Sequence, residues 1–299
     1  MKMLLARVPN IILILTFSFA LATPSLSIAA NGVEKTSIST IINHLRKINV
    51  SSDDPNIPLA AIPLLTEFKH KLRDLILNTI NETHMSGKTA FETQRIVLEK
   101  LKGIGIKVED KEDDTIKSDL VEPSYAYGRI LRISIYRPAS HPDLLVATTT
   151  IGISCGEDTS LYLFKERKSQ WSLILTQEVN GYNSIDAAQG LFGYGISNDS
   201  GKYFYLVTVN ITPWCTSNWQ RIRYNVFRIT SRSYESKLII SGKDTIYLGV
   251  ESSPYRLHVK SQSFTLKYYG GDKLNPDGTA PLKTIRYQFK GDQALKETE

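Results

Sequence analysis

All 15 tyrosines and all three tryptophans of this 299-residue chain lie beyond residue 120, as do both cysteines. Between Asn31 and Leu120 there is no Tyr, Trp or Cys, and Phe68 and Phe91 are the only phenylalanines. Aromatic side chains pack well on a pleated, half-buried sheet surface, whereas straight-chain aliphatic and charged residues lose little freedom in a helix. The asymmetry therefore predicts an α+β chain: a helical N-terminal region followed by an all-β antiparallel domain. The division falls near 118–123, where Pro123 follows an acidic stretch. Three spans result: a leader at 1–30, a helical region at 31–120 ending in an acidic linker, and a β domain at 121–299.

Within the helical region, Leu64, Leu65, Phe68, Leu72, Leu75, Ile76 and Ile80 recur at helical spacing. Pro63 suits a first helical position, where its missing N–H costs nothing. Glu67, Lys69, Lys71, Arg73 and Asp74 are expected on the solvent side. A second helix is predicted over Thr89–Leu101, with Phe91, Val97, Leu98 and Leu101 inward and Gly103 as its stop. A shorter helix is expected over Ser37–Ile48. The acidic run Glu109, Asp110, Glu112, Asp113, Asp114 has neither the alternation nor the glycine of a calcium loop and reads as a solvated linker.

The second part reads as strand after strand. Expected strands are Arg129–Tyr136, Leu144–Ile151, Ser160–Lys165, Trp171–Thr176, Tyr203–Ile211, Arg221–Ile229, Leu238–Ser241, Thr245–Leu248, Arg256–Tyr268 and Lys283–Phe289. Turn clusters such as Asn198-Asp199-Ser200-Gly201 and Asn275-Pro276-Asp277-Gly278 separate them. Leu144–Thr176 and Phe204–Ser241 share the order strand, Cys-bearing loop, strand, strand, and a shorter third unit runs from Tyr255 to Phe289. The expected architecture is a sandwich or a partial propeller-like repeat.

The leader supplies an address. Lys2 and Arg7 precede an apolar run, Ile11–Ala22, that is far shorter than the ~20 residues a membrane span requires. Small residues come next, placing cleavage near Ala22 or Ala29/Ala30. The expected protein is secreted or periplasmic, with no integral membrane segment once the leader is removed. In such a compartment Cys155 and Cys215 are expected to form a disulfide. The alternative is a reactive thiol at Cys155, with His141 the nearest histidine in sequence.

Composition narrows the function classes. At 41% hydrophobic and 22% charged, with 18 Gly and 12 Pro, the chain is neither collagen-like nor disordered. Its 36 basic and 30 acidic residues become 34 and 30 without Lys2 and Arg7, too small an excess to imply nucleic acid. The five histidines are scattered without metal-ligand spacing, so no metal and no cofactor is expected. Ser86-Gly87-Lys88-Thr89 looks like the end of a phosphate loop, but position 82 is Glu82 where that motif needs Gly, and helix capping explains it better.

Two motifs carry functional expectations. Gly152-Ile153-Ser154-Cys155-Gly156 matches G-x-S-x-G, in which glycines let a strand turn sharply into a helix and expose the serine. With His258 downstream, Ser154 and His258 define the alternative of an exported serine hydrolase. The segment after the motif reads as a strand, which disfavours it. Trp214 and Trp219 flank a loop, and Arg221 and Arg223 alternate with Ile222 and Tyr224, so one strand face carries cations beside aromatic rings. With Arg129, Arg132 and Arg137 they would attract an anionic surface polymer. The structural alternative packs Trp214 on the disulfide and Trp219 in the core. The favoured expectation is a non-catalytic binding or structural module of the cell envelope or exterior, with a surface polysaccharide or an envelope protein as partner.

Overall fold

Three helices come first: α1 (Ile38–Leu45), α2 (Ala61–Glu82) and α3 (Ala90–Gly103). The computed structural model describes residues 37–48, 57–82, 88–108, 127–128, 131–153, 156–179, 181–182, 188–213, 217–250, 253–271, 273–291 and 293–297. All of these belong to one unit spanning Thr36–Glu299. Among them no helix is long and apolar enough to cross a membrane. The leader, the acidic run and the boundary near 118–123 lie outside the described residues.

Each helix forms where local chemistry favours it. Ser37 caps α1 by accepting the Thr40 N–H at 3.1 Å. Thr89 caps α3 and exchanges bonds with Glu92, its hydroxyl accepting the Glu92 N–H at 3.1 Å while its own N–H donates to Glu92 Oε2 at 2.8 Å. That reciprocal pair satisfies two N–H groups the helix would otherwise leave open, and it accounts for Lys88-Thr89 without a phosphate. Helix α2 begins two residues before Pro63, which still falls in the first turn, where N–H groups have no helical partner.

Helix α3 ends differently from the sequence reading. Gly103 is its last residue, and the left-handed position is Gly105, at φ +79°. The Gly105 N–H donates to Lys102 O at 3.0 Å and the Ile106 N–H to Leu101 O at 3.0 Å, which closes the carbonyl end of the helix. Phe91, expected inward, is 75% exposed, and Thr93 is buried in its stead.

The β part is three four-stranded antiparallel sheets. The first holds β1 (Leu131–Tyr136), β2 (Leu144–Ile153), β3 (Gly156–Arg167) and β4 (Gln170–Gln177). The second holds β5 (Gly190–Ile196), β6 (Tyr203–Ile211), β7 (Trp219–Thr230) and β8 (Ser236–Tyr247). The third holds β9 (Tyr255–Lys260), β10 (Ser263–Tyr269), β11 (Leu282–Lys290) and β12 (Gln293–Lys296). Strands pair in chain order within each sheet, the build of a propeller blade. The three-unit division is observed, but each sheet holds four strands, where the sequence reading assigns three to each of the first two units and a shorter third.

Four layers result. The helices bury Leu65, Phe68, Leu72 and Ile76 against Ile133, Leu145, Tyr162 and Phe164 of the first sheet. The other face of that sheet, through Val146, Leu161 and Leu163, meets Phe204, Leu206 and Ile229 of the second. The far face of the second sheet, with Val207, Tyr224 and Val226, meets Phe264, Leu266 and Phe289 of the third. Each such side chain contributes ~1.5–3 kcal/mol by leaving water. Tyr205 and Phe289 stack at 4.0 Å across this last interface.

Beyond end shifts of one to four residues, the strands depart from the sequence reading in four places. Strand β5 was hidden by its three glycines, which lower β propensity. Two of them are needed: a Cβ on Gly193 would fall 1.8 Å from the Tyr255 hydroxyl, and one on Gly195 2.6 Å from Val259 Cγ2. Strand β8 runs unbroken through Gly242, over which the Tyr224 ring lies. Arg256–Tyr268 divides into β9 and β10 around Ser261-Gln262, a turn without Gly, Asn or Asp to announce it. Strand β12 is short and has no matching expectation.

Candidate functional site

Alternation along β7 decides where the candidate ligand residues point. Ile222, Tyr224 and Val226 turn toward the third sheet, so Trp219, Arg221, Arg223 and Asn225 turn the other way. Across β8 their partners are Tyr247, Thr245, Lys243 and Ser241 in turn. Across β6, Arg223 faces Asn210 and Asn225 faces Thr208. Trp219 is half-buried against Tyr247, with ring centroids 4.6 Å apart and planes at 47°. Its ring therefore joins the basic face and not the Ile222–Tyr224 core.

No carboxylate occurs in these cross-strand pairs. Asp244, next to Lys243, points to the third sheet, where Lys283 Nζ donates to both its oxygens at 3.0 and 2.8 Å and the Tyr268 hydroxyl donates at 2.5 Å. Burial raises that carboxyl, but the Lys283, Tyr268 and Thr245 N–H bonds outweigh it and hold it below the ordinary aspartate range. The same interface pushes the Tyr224 and Tyr268 hydroxyls up, mainly by burial.

Beside this face a cleft of about 490 Å³ opens between the first and second sheets. Glu157 and Thr159 enter it from β3, Leu191 and Phe192 from β5, and Thr212 and Pro213 from the end of β6. Ser217, Asn218 and Gln220 complete it at the start of β7. Thr212 lies one position past the Ile211–Ile222 pair, so the cleft continues into the Arg221 end of the basic face. Glu157 is paired with Arg132 of β1, within the first sheet.

Ser154, Cys155, Trp214 and Cys215 lie outside the described residues, but their flanks are placed. Ile153 pairs with Gly156 across β2 and β3. The Glu157 N–H donates to Pro213 O at 3.0 Å, joining the chain just after Cys155 to the chain just before Trp214. The element after G-x-S-x-G is the strand β3. His258 is exposed on β9, in register with Thr265 on the outer face of the third sheet. The second sheet stands between that face and the strands flanking Ser154.

His141 lies at the opposite end of β2 from Cys155. It is buried against Phe204, with ring centroids at 4.5 Å, and Nε2 bonds Ser197 O at 2.8 Å. The ten-residue strand β2, ~30 Å long, runs from the His141 end to Ile153. Arg137 also departs from the basic face: its guanidinium lies 5.3 Å from the Trp171 ring centroid, and Arg129 is outside the described residues. Among the described residues no three His, Cys, Asp or Glu side chains gather to hold a metal.

One buried cluster escaped the sequence reading. Lys69, assigned to the solvent side of α2, is only 2% exposed. Its ammonium donates to Asp158 Oδ2 at 3.1 Å, to Val179 O at 2.8 Å and to the Tyr182 hydroxyl at 2.7 Å. Tyr182 in turn donates to Asp158. Burial, with Asp158 beside it, pushes the Tyr182 hydroxyl well above the ordinary tyrosine range, and burial with Glu178 does the same to Tyr162. Three polar residues of matching reach, scattered over 113 positions, leave no local signal in sequence. Enclosed on all sides, the cluster ties α2 to β3.

Comparison of the chain with protein-family models, with curated proteins and with solved structures finds no match.

Proposed function

We propose that the protein is exported and serves, in the cell envelope or exterior, as a non-catalytic binding module whose ligand is a carbohydrate polymer. The observation that carries this reading is the β7–β8 face, where Trp219 rests against Tyr247 beside Arg221, Arg223 and Lys243. An indole face offers a platform for the apolar side of a sugar ring. The adjacent guanidinium and ammonium groups favour carboxylate or sulfate substituents, and Ser241, by donating to Asn225 Oδ1 at 2.9 Å, holds the Asn225 amide whose N–H groups can donate to ring oxygens. The serine hydrolase alternative has weaker support, because a strand comes after Ser154 and His258 sits on the outer face of another sheet.

The test is gel retardation and calorimetry of the leaderless chain with a polyuronate and a neutral glucan. The polyuronate should bind more tightly, and the binding should weaken as salt screens the basic face. Trp219→Ala and the double change Arg221→Ala/Arg223→Ala should each lower affinity about tenfold while leaving the fold intact. Binding to neither polymer, or binding unchanged by Trp219→Ala, would refute the assignment. Turnover of an activated ester that disappears in Ser154→Ala would support the hydrolase instead.

A further inference from the structure

The cleft beside the basic face differs from it in chemistry. Among the described residues that line it, Glu157 is the one carboxylate, and it is paired with Arg132. Its walls mix hydroxyls (Thr159, Thr212, Ser217) and two amides, Asn218 and Gln220, with the ring of Pro213, and the Gln220 amide already donates to Ser217 O at 2.8 Å. At about 490 Å³ it falls among small-molecule sites, which run to ~300–1,000 Å³.

Several of these polar groups are already committed. The Thr159 hydroxyl bonds Thr150 at 2.9 Å, and Ser217 Oγ accepts the Trp219 N–H at 3.0 Å. The Asn218 carbonyl takes the Leu248 N–H at 2.7 Å, which pins the backbone that carries its amide. The Asn218 side chain, the buried Thr212 and the second Glu157 oxygen complete the polar lining among the described residues. A carboxylate oxygen and an amide placed around an apolar floor match the neighbouring hydroxyls and the C–H face of a neutral sugar ring.

We propose that this cleft is a subsite for one neutral, hydroxyl-rich sugar unit of the polymer whose charged units lie along Arg221, Arg223 and Lys243. The assignment rests on the carbohydrate reading above and adds to it a mixed glycan, neutral where it enters the cleft and anionic where it crosses the sheet. Continuity between Thr212 and Arg221 supplies the path.

The experiment titrates the leaderless chain with neutral methyl hexosides and with polyuronate, following backbone amide shifts and heat. Methyl hexosides should perturb Asn218 and Thr212 at millimolar concentration. Asn218→Ala and Glu157→Gln should each weaken hexoside binding about tenfold and leave polyuronate binding within about twofold. Trp219→Ala should do the reverse. Polyuronate binding that depends on Trp219, with no hexoside response at the cleft, overturns the subsite and leaves the carbohydrate reading standing. No binding of either probe overturns both. Because Glu157→Gln also loosens Arg132, Thr212→Val serves as the second variant, and an unchanged hexoside affinity there counts against the subsite.

Discussion

Lys69 shows how much a single buried charge can constrain this protein. Its ammonium has three oxygen partners, and Asp158 is fully buried beside it. Removing the cation alone would leave that carboxylate without a counter-charge, so Lys69→Met should cost about 3–5 kcal/mol in urea unfolding. Lys69→Met combined with Asp158→Leu should recover part of the loss, because the second change removes the stranded charge. Tyr194 gives a gentler test. Burial pushes its hydroxyl up to about 12, whereas an unfolded chain releases the proton near 10. The unfolded state therefore holds fewer protons between those values, and stability falls as pH rises through that window. Below it the contribution is intact. Tyr194→Phe should flatten the decline in the urea midpoint above pH 10 and leave the midpoint at pH 8 nearly unchanged.

At the scale of elements, glycines separate what is local from what is not. Gly103 ends α3 with open space around it, and Gly103→Ala should stabilise by about 0.5 kcal/mol through the unfolded chain. Gly270 bridges to Ile246 of β8, and a Cβ there would fall 2.2 Å from the Thr245 carbonyl. Because that obstacle is backbone, Gly270→Ala should cost about 1–3 kcal/mol, measured by the same unfolding transition. Helices α2 and α3 were legible from their apolar spacing, and β6 was located to the residue. Strand β5 was not, since the close approach of Tyr255 and Val259 that calls for its glycines comes from residues more than sixty positions away. The candidate site was half legible. Alternation put Trp219, Arg221 and Arg223 on one face, but Tyr247 and Lys243 joined them only through the β7–β8 register.

Across the whole molecule, the chain stacks three meanders under a helical layer, and the mouth between the first two sheets brings together segments distant in sequence. We propose that Cys155 and Cys215 form a disulfide. The Glu157–Pro213 hydrogen bond lies two residues from each of them, so a Cys155–Cys215 bridge would staple β3 to the end of β6. Denatured, unreduced protein should then show no titratable thiol, and reduction should lower unfolding stability by up to ~4 kcal/mol for a loop of about 60 residues. Two titratable thiols before reduction would end that proposal. The amino-acid order alone determined the helical and β parts, the capping of α3 and the alternation along β7, because each arises from contacts within a few residues or from strand periodicity. The layering of sheets, the burial of Lys69 and the cleft at Glu157 and Asn218 were decided only in three dimensions. They depend on pairings between segments far apart in the chain, and no local propensity encodes those.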